Sequence, residues 1–212
     1  FAVSNVPGWH ATIFPPYFVA GAVFAGFAMV LVLAIPLRKF YDLEDFVTMR
    51  HLDNMARVML ATGMFVCYGY MTEVFMSFYG ANPYEKYMMV NRFVGPYAVF
   101  YWSLIFCNAV SIQALWFERV RSSQAALFCI AIIVSIGMWL ERFIIVVTSL
   151  HRDYLPSSWG MYWPTMWDWG LYLGTMGLFA SLLFLFIRFL PMISIFEMRT
   201  LLPEAEVEEH HE

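Results

Sequence analysis

Glu141 and Arg142 stand side by side in the second half of an apolar run, residues 125–150, that is long enough to cross a bilayer. A charge at that depth costs about 2.5–3.5 kcal/mol on insertion scales, so such residues face a bundle interior or a hydrated path. Glu73 occupies a comparable place near the end of another run, residues 54–78. Two readings stay open: internal glue that satisfies neighbouring helices, or groups that move charge. In a third run Tyr101, Asn108 and Ser111 lie near one helical stripe, a polar seam that suits either interhelical hydrogen bonding or a hydrated track. His10 follows Trp9 in a Pro7-Gly8-Trp9-His10 turn, and an imidazole at an interface can take up a proton near neutral pH, although a loop histidine that merely caps a turn looks the same.

Other chemistries lack the residues they need. Cys67, Cys107 and Cys129 each sit inside an apolar run with no CxxC or CxxCH, which leaves iron–sulphur, zinc and c-type haem ligation within this chain without support. His10, His51, His151, His210 and His211 fall near span ends or in loops, so a pair of mid-helix axial ligands for a transmembrane b-haem is missing. The expectation is a chain that binds no metal or cofactor of its own.

The elements that must carry these residues are membrane helices. Of 212 residues 61% are hydrophobic and only 13% charged, with a mean hydropathy of +0.65, far from the soluble average of about 25% charged. The net charge of −4 and the lack of a basic face exclude a nucleic-acid partner. Hydropathy places five spans at about residues 14–37, 54–78, 93–117, 125–150 and 167–190, an all-α membrane protein with a four-helix bundle and one flanking C-terminal helix. Ala20, Gly21, Ala25 and Gly26 would let a helix approach the first span closely, and Thr62, Gly69 and Glu73 would share an inward face of the second. Residues 38–53 and 118–124 read as charged connectors, 80–92 as a short loop, and 151–166 as a Trp- and Tyr-rich segment lying in the interfacial belt. Residues 1–12 read as an outer-surface segment, 13–190 as the transmembrane domain and 191–212 as a disordered cytoplasmic tail. Opening at Phe1 without a basic n-region or cleavage site, the sequence reads as one from which an N-terminal portion is absent. Arg38, Lys39, Arg50, Arg119, Arg121, Arg188 and Arg199 outnumber Lys86, Arg92 and Arg152 at the opposite ends, which turns the first set to the cytoplasm and places His10 outside.

The run Val6-Pro7-Gly8-Trp9-His10, followed by Thr12-Ile13-Phe14-Pro15-Pro16-Tyr17-Phe18-Val19-Ala20-Gly21, resembles the NrfD/PsrC-type membrane subunits of quinol oxidoreductases and, more narrowly, the C subunit of bacterial alternative complex III. The segment Gly137-Met138-Trp139-Leu140-Glu141-Arg142-Phe143 fits the same family. The resemblance implies two four-helix bundles with flanking helices, of which this chain is the second bundle plus the final helix, with much of the quinol pocket in the first. It implies a multi-pass subunit of the bacterial inner membrane. Quinol or menaquinol would be oxidised near the periplasmic face and electrons delivered to an iron–sulphur subunit. Cytochrome c subunits carrying haem c and other membrane subunits would be partners, and proton passage through the bundles is allowed. His10, with Trp9, is the local candidate for the quinol region; Glu73, Glu141, Arg142, Tyr101, Asn108 and Ser111 are candidates for a proton path.

Two other classes compete. A secondary transporter or ion channel would use the same buried charges for coordination, although no pair of spans is visibly interrupted as in inverted repeats. A purely structural anchor would need none of them as titrating groups.

Overall fold

The computed structural model describes residues 2–152 and 155–190, and every regular element among them is helical. Among the described residues five helices are long and apolar enough to cross a membrane, as the sequence predicts. The chain forms two units, Phe1–Met161 and Tyr162–Glu212.

In the first unit α1 (Phe14–Phe40) starts at Pro15 and Pro16, which fit the first helical turn because that turn needs no N–H partners. The connector to α2 (Met49–Tyr79) is only residues 41–48. Arg50, His51 and Asp53, expected in a connector, belong to the first turns of α2, where the Thr48 side chain and His51 cap the free backbone groups. Residues 83–94, expected within a loop and the start of the third span, form α3 (Pro83–Val94): Asn82 accepts the Tyr84 N–H at 3.0 Å and Pro83 opens the turn, a helix start dressed as a loop.

The third span begins at α4 (Ala98–Ile105) and changes its winding twice, through a π-helical turn, Phe106–Val110, and a 3-10 segment, Ser111–Trp116. The extra residue per turn rotates Asn108 into the core, where it is fully buried. A single helical turn, α5 (Glu118–Arg121), leads to α6 (Gln124–Leu150), whose Ser123 cap accepts the Ala126 N–H.

The helices α1, α2, α4 with its continuation, and α6 form the four-helix bundle, with α3 across one end. At that end sit residues 2–13, α3 and His151; at the other sit residues 41–48 and α5. We refer to them as the His10 end and the Arg121 end. Toward the Arg121 end the core is built from Phe24, Leu31, Leu52, Met59, Ile112, Leu115 and Leu127, all completely buried, with Arg38 buried at the end of α1. The Arg121 end is closed by Asp53, which accepts Arg121 Nε and Arg57 Nη2, each at 2.7 Å, while Arg121 also caps the carbonyls of Leu115 and Trp116.

Lipid supplies no hydrophobic drive between helices, so close packing of small residues carries much of the association. Gly21 is buried beside Met138, and Ala20 and Ala25 pack against the core, but Gly26 faces outward with open space around it. The tightest approach is at Gly137, where a Cβ would overlap the Asn108 side-chain amide and come within 2.7 Å of Cys107 Cβ.

In the second unit α7 (Met166–Phe189) begins with a capping box, Thr165 N–H to Asp168 at 2.7 Å and the reverse bond at 3.4 Å. None of its residues is buried and its apolar side chains run all round, the pattern of a helix whose solvent is lipid. The disordered tail expected at 191–212 lies outside the described residues.

Overpacking a tight contact costs about 1–3 kcal/mol. Gly137→Ala should therefore lower the unfolding temperature of the detergent-solubilised protein, whereas Gly26→Ala should leave it unchanged or raised. A thermal unfolding scan of both variants checks this, and equal effects would contradict the packing assigned to α6.

Candidate functional site

At the His10 end the chain makes two buried polar assemblies, one centred on Arg92 and one on Glu141. Arg92 is 1% exposed. Its Nη1 donates to Glu73 Oε1 at 2.6 Å and its Nε to Thr148 Oγ1 at 3.1 Å, so one guanidinium ties α3 to α2 and α6. Removing one member of such a buried pair typically costs about 3–5 kcal/mol, since the other charge is left without compensation. Beside it, Gly8 turns the N-terminal segment with φ of +87°, and a side chain there would strike Met88. The turn is pinned to α6 by Trp9, whose indole N–H donates to the Ile145 carbonyl at 2.9 Å.

This turn presents His10 to a cavity of about 570 Å³ whose wall includes Gly8, Pro16, Thr72, Glu73, Met76 and Glu85. Its size falls in the range of about 300–1,000 Å³ usual for small-molecule sites. His10 Nε2 lies 2.8 Å from Glu85 Oε1 and Nδ1 lies 3.3 Å from the Val6 carbonyl, with the ring partly open to the outside. A proton arriving at Nε2 would be shared with the Glu85 carboxylate. Glu73 lines the same wall while holding Arg92 behind it. Trp9, grouped with His10 from the sequence, anchors the turn and is not among the residues lining the cavity.

Deeper in the bundle Asn108 Nδ2 donates to Tyr70 Oη at 2.8 Å, and Tyr70 Oη donates to Glu141 Oε2 at 2.6 Å. The bonds run one way, from amide through phenol to carboxylate, and Glu141 is 1% exposed. Glu141 Oε1 faces Arg142 Nη1 at 3.7 Å, while the Arg142 guanidinium lies 4.0 Å over the Phe18 ring. Tyr17 packs edge-on against Tyr70 with centroids 5.8 Å apart, beside the Glu141 assembly.

Of the sequence candidates, Glu141, Arg142 and Asn108 come together, and Glu73 belongs to the Arg92 assembly. Tyr101 is buried between Phe93 and Trp102. Ser111 bonds back to the Cys107 carbonyl within its own helix. Thr62 likewise bonds back to Val58 at 2.8 Å, whereas Gly69 is buried beneath the Tyr17 ring. Sequence reasoning singled out neither Tyr70 nor Tyr17, and it left Arg92 and Glu85 in a loop and His151 near a span end. The signal for Arg92 was its spacing behind the Asn82-Pro83 helix start, which puts it on an α3 face rather than in a loop.

His151 closes this end of α6. Its Nδ1 faces the carbonyls of Val147 at 3.2 Å and Thr148 at 3.0 Å, which fixes the proton there and leaves Nε2 to accept from Asn91 Nδ2 at 3.3 Å. Burial holds His151 below the ordinary imidazole value, and a second proton would displace the Asn91 amide. The folded state thus binds this proton less readily than the unfolded chain. Its stabilisation is complete above the ordinary imidazole value and disappears as pH falls through the lowered one. Unfolding temperature should fall between about pH 7 and pH 5, and His151→Phe should flatten that part of the profile. A profile unchanged by the substitution would contradict the assignment.

The model of the family described as "Polysulphide reductase, NrfD" matches residues 1–152. No curated protein matches the chain. The match covers more than half of the sequence, and the chain belongs to the NrfD family, which makes it a membrane subunit of a quinone-interacting oxidoreductase complex whose members usually work with iron–sulphur and other subunits.

Proposed function

We propose that this chain helps to oxidise a quinol, menaquinol among the candidates, at the cavity beside His10. The observation that carries this reading is the convergence of His10, Glu85 and Glu73 on one cavity at the end of a membrane bundle. Oxidising a quinol to a quinone releases two electrons and two protons. The groups needed from the protein are proton acceptors at the edge of the hydrocarbon, close to water. The His10–Glu85 pair accepts the proton of one hydroxyl on Nε2 and passes it to the surface, because the imidazole is partly open there. Glu73, held in place by Arg92, is the acceptor for the second. The exposed side chains of Tyr79 and Met76 beside this end suit an apolar tail entering from the lipid.

The electrons go to an iron–sulphur partner outside the membrane, and cytochrome c subunits carrying haem c belong to the same complex, as in alternative complex III. The Lys and Arg asymmetry supports a His10 end turned away from the cytoplasm, the periplasmic side if the membrane is a bacterial inner one. In this reading Tyr17 and the Asn108–Tyr70–Glu141 chain form a proton reservoir behind the cavity. Beyond Asn108 the core is Phe24, Ile112 and Met59, so protons entering the reservoir exchange with the His10 end.

His10→Ala should leave the complex assembled and lower quinol turnover by about 10²–10⁴-fold, the usual worth of a positioned acid–base group. Steady-state quinol oxidation by the purified complex, with inhibitor titration alongside, measures it. Unchanged turnover together with unchanged inhibitor affinity would reduce His10 to a loop residue.

A further inference from the structure

A second cavity, about 480 Å³, opens on the other side of the Gly8–Met88 wall and differs from the first in sign. Glu73 and Glu85 line the first cavity; among the described residues lining the second there is no carboxylate, and Arg152 is its cation. Arg152 Nη1 donates to Tyr87 Oη at 2.8 Å and its guanidinium lies 5.7 Å from the centroid of the Trp159 ring. Because the Tyr87 oxygen accepts from Arg152, its own proton is directed elsewhere and can serve a ligand in the cavity. Ser149 is 6% exposed and lines the same wall, and its hydroxyl has no hydrogen-bond partner in the protein. A buried hydroxyl left without a partner is costly, and one facing a cavity marks where a ligand acceptor would sit.

We propose that this cavity binds the phosphodiester of a membrane phospholipid. The donors lining it, a guanidinium, a phenol and a buried hydroxyl, match an acceptor with several oxygens and a negative charge. The position favours a lipid over free phosphate, because Tyr84, Tyr87 and Trp159 are exposed aromatics at a helix end, the level at which Tyr and Trp meet lipid headgroups. Val90, one turn along α3 from Tyr87, is exposed on the same helix and offers apolar surface to an acyl chain. The carboxylates of the neighbouring cavity repel the same ligand, so the two sites do not compete for occupants.

The test uses the intact complex, purified in detergent and phosphate-free buffer. Phospholipid retained after washing is extracted and quantified, and protection against thermal unfolding is titrated with phosphatidylglycerol in mixed micelles and, separately, with inorganic phosphate. The wild-type complex should retain a phospholipid that Arg152→Gln and Ser149→Ala lose. The lipid concentration giving half-maximal protection should rise about tenfold in the variants, the loss of a charge-assisted hydrogen bond, while inorganic phosphate protects neither. Ser149→Ala removes only a hydroxyl and decides the matter where Arg152→Gln fails to assemble. Equal lipid content and equal midpoints in wild type and variant would overturn the proposal. Protection of the wild type by inorganic phosphate as strong as that by lipid would overturn it in favour of a free-anion site.

Discussion

The Arg92 guanidinium is the group on which the His10 end of the bundle depends. It is large, permanently charged and almost completely removed from solvent, and such a group persists only if its surroundings supply acceptors in fixed places. Glu73 from α2 and Thr148 from α6 do so, while Arg92 itself comes from α3. Three helices are thereby held in one register. The consequence for chemistry is indirect but strong. Glu73 reaches the cavity wall already oriented, and the Gly8 turn that carries Trp9 and His10 lies against the same α3 surface, where Met88 and Arg92 leave no room for a side chain.

Polar groups are distributed unevenly along the bundle, and that unevenness gives it a direction. From His10 and Glu85 inward come Glu73 with Arg92, then Glu141 with Tyr70 and Asn108. Past Asn108 the interior is hydrocarbon until Asp53 and Arg121 close the far end. Asn108, inside the π-helical turn Phe106–Val110, terminates the polar series, and Gly137 on α6 leaves the space for its amide. A low-dielectric interior strengthens each bond in such a chain and makes each missing partner expensive.

The existence of the spans was legible because hydropathy over about twenty residues is a strong signal. Charges inside a span were equally legible, which is why Glu141, Arg142 and Glu73 stood out before any coordinates. Their partners were not. Tyr70 and Tyr17 carry a hydroxyl on a ring that suits lipid, and only the packing of α1 against α2 turns both rings inward. Arg92 and Glu85 looked like loop charges because Asn82 and Pro83 mark turns as readily as helix starts. Ser111 and Thr62 show the opposite limit: a hydroxyl on a predicted polar face satisfied itself on its own helix backbone, as Ser and Thr in membrane helices often do. The change from α to π to 3-10 winding in the third span has no signature in the hydropathy pattern.

The central claim is that the cavity walled by His10, Glu85 and Glu73 holds the quinol ring. An experimental structure of the intact complex with a bound quinol-analogue inhibitor tests it most directly. The account predicts inhibitor density in this cavity, with one ring oxygen within about 2.6–3.2 Å of the His10–Glu85 pair or of Glu73. An inhibitor bound at full occupancy elsewhere in the complex, with this cavity empty, would contradict it.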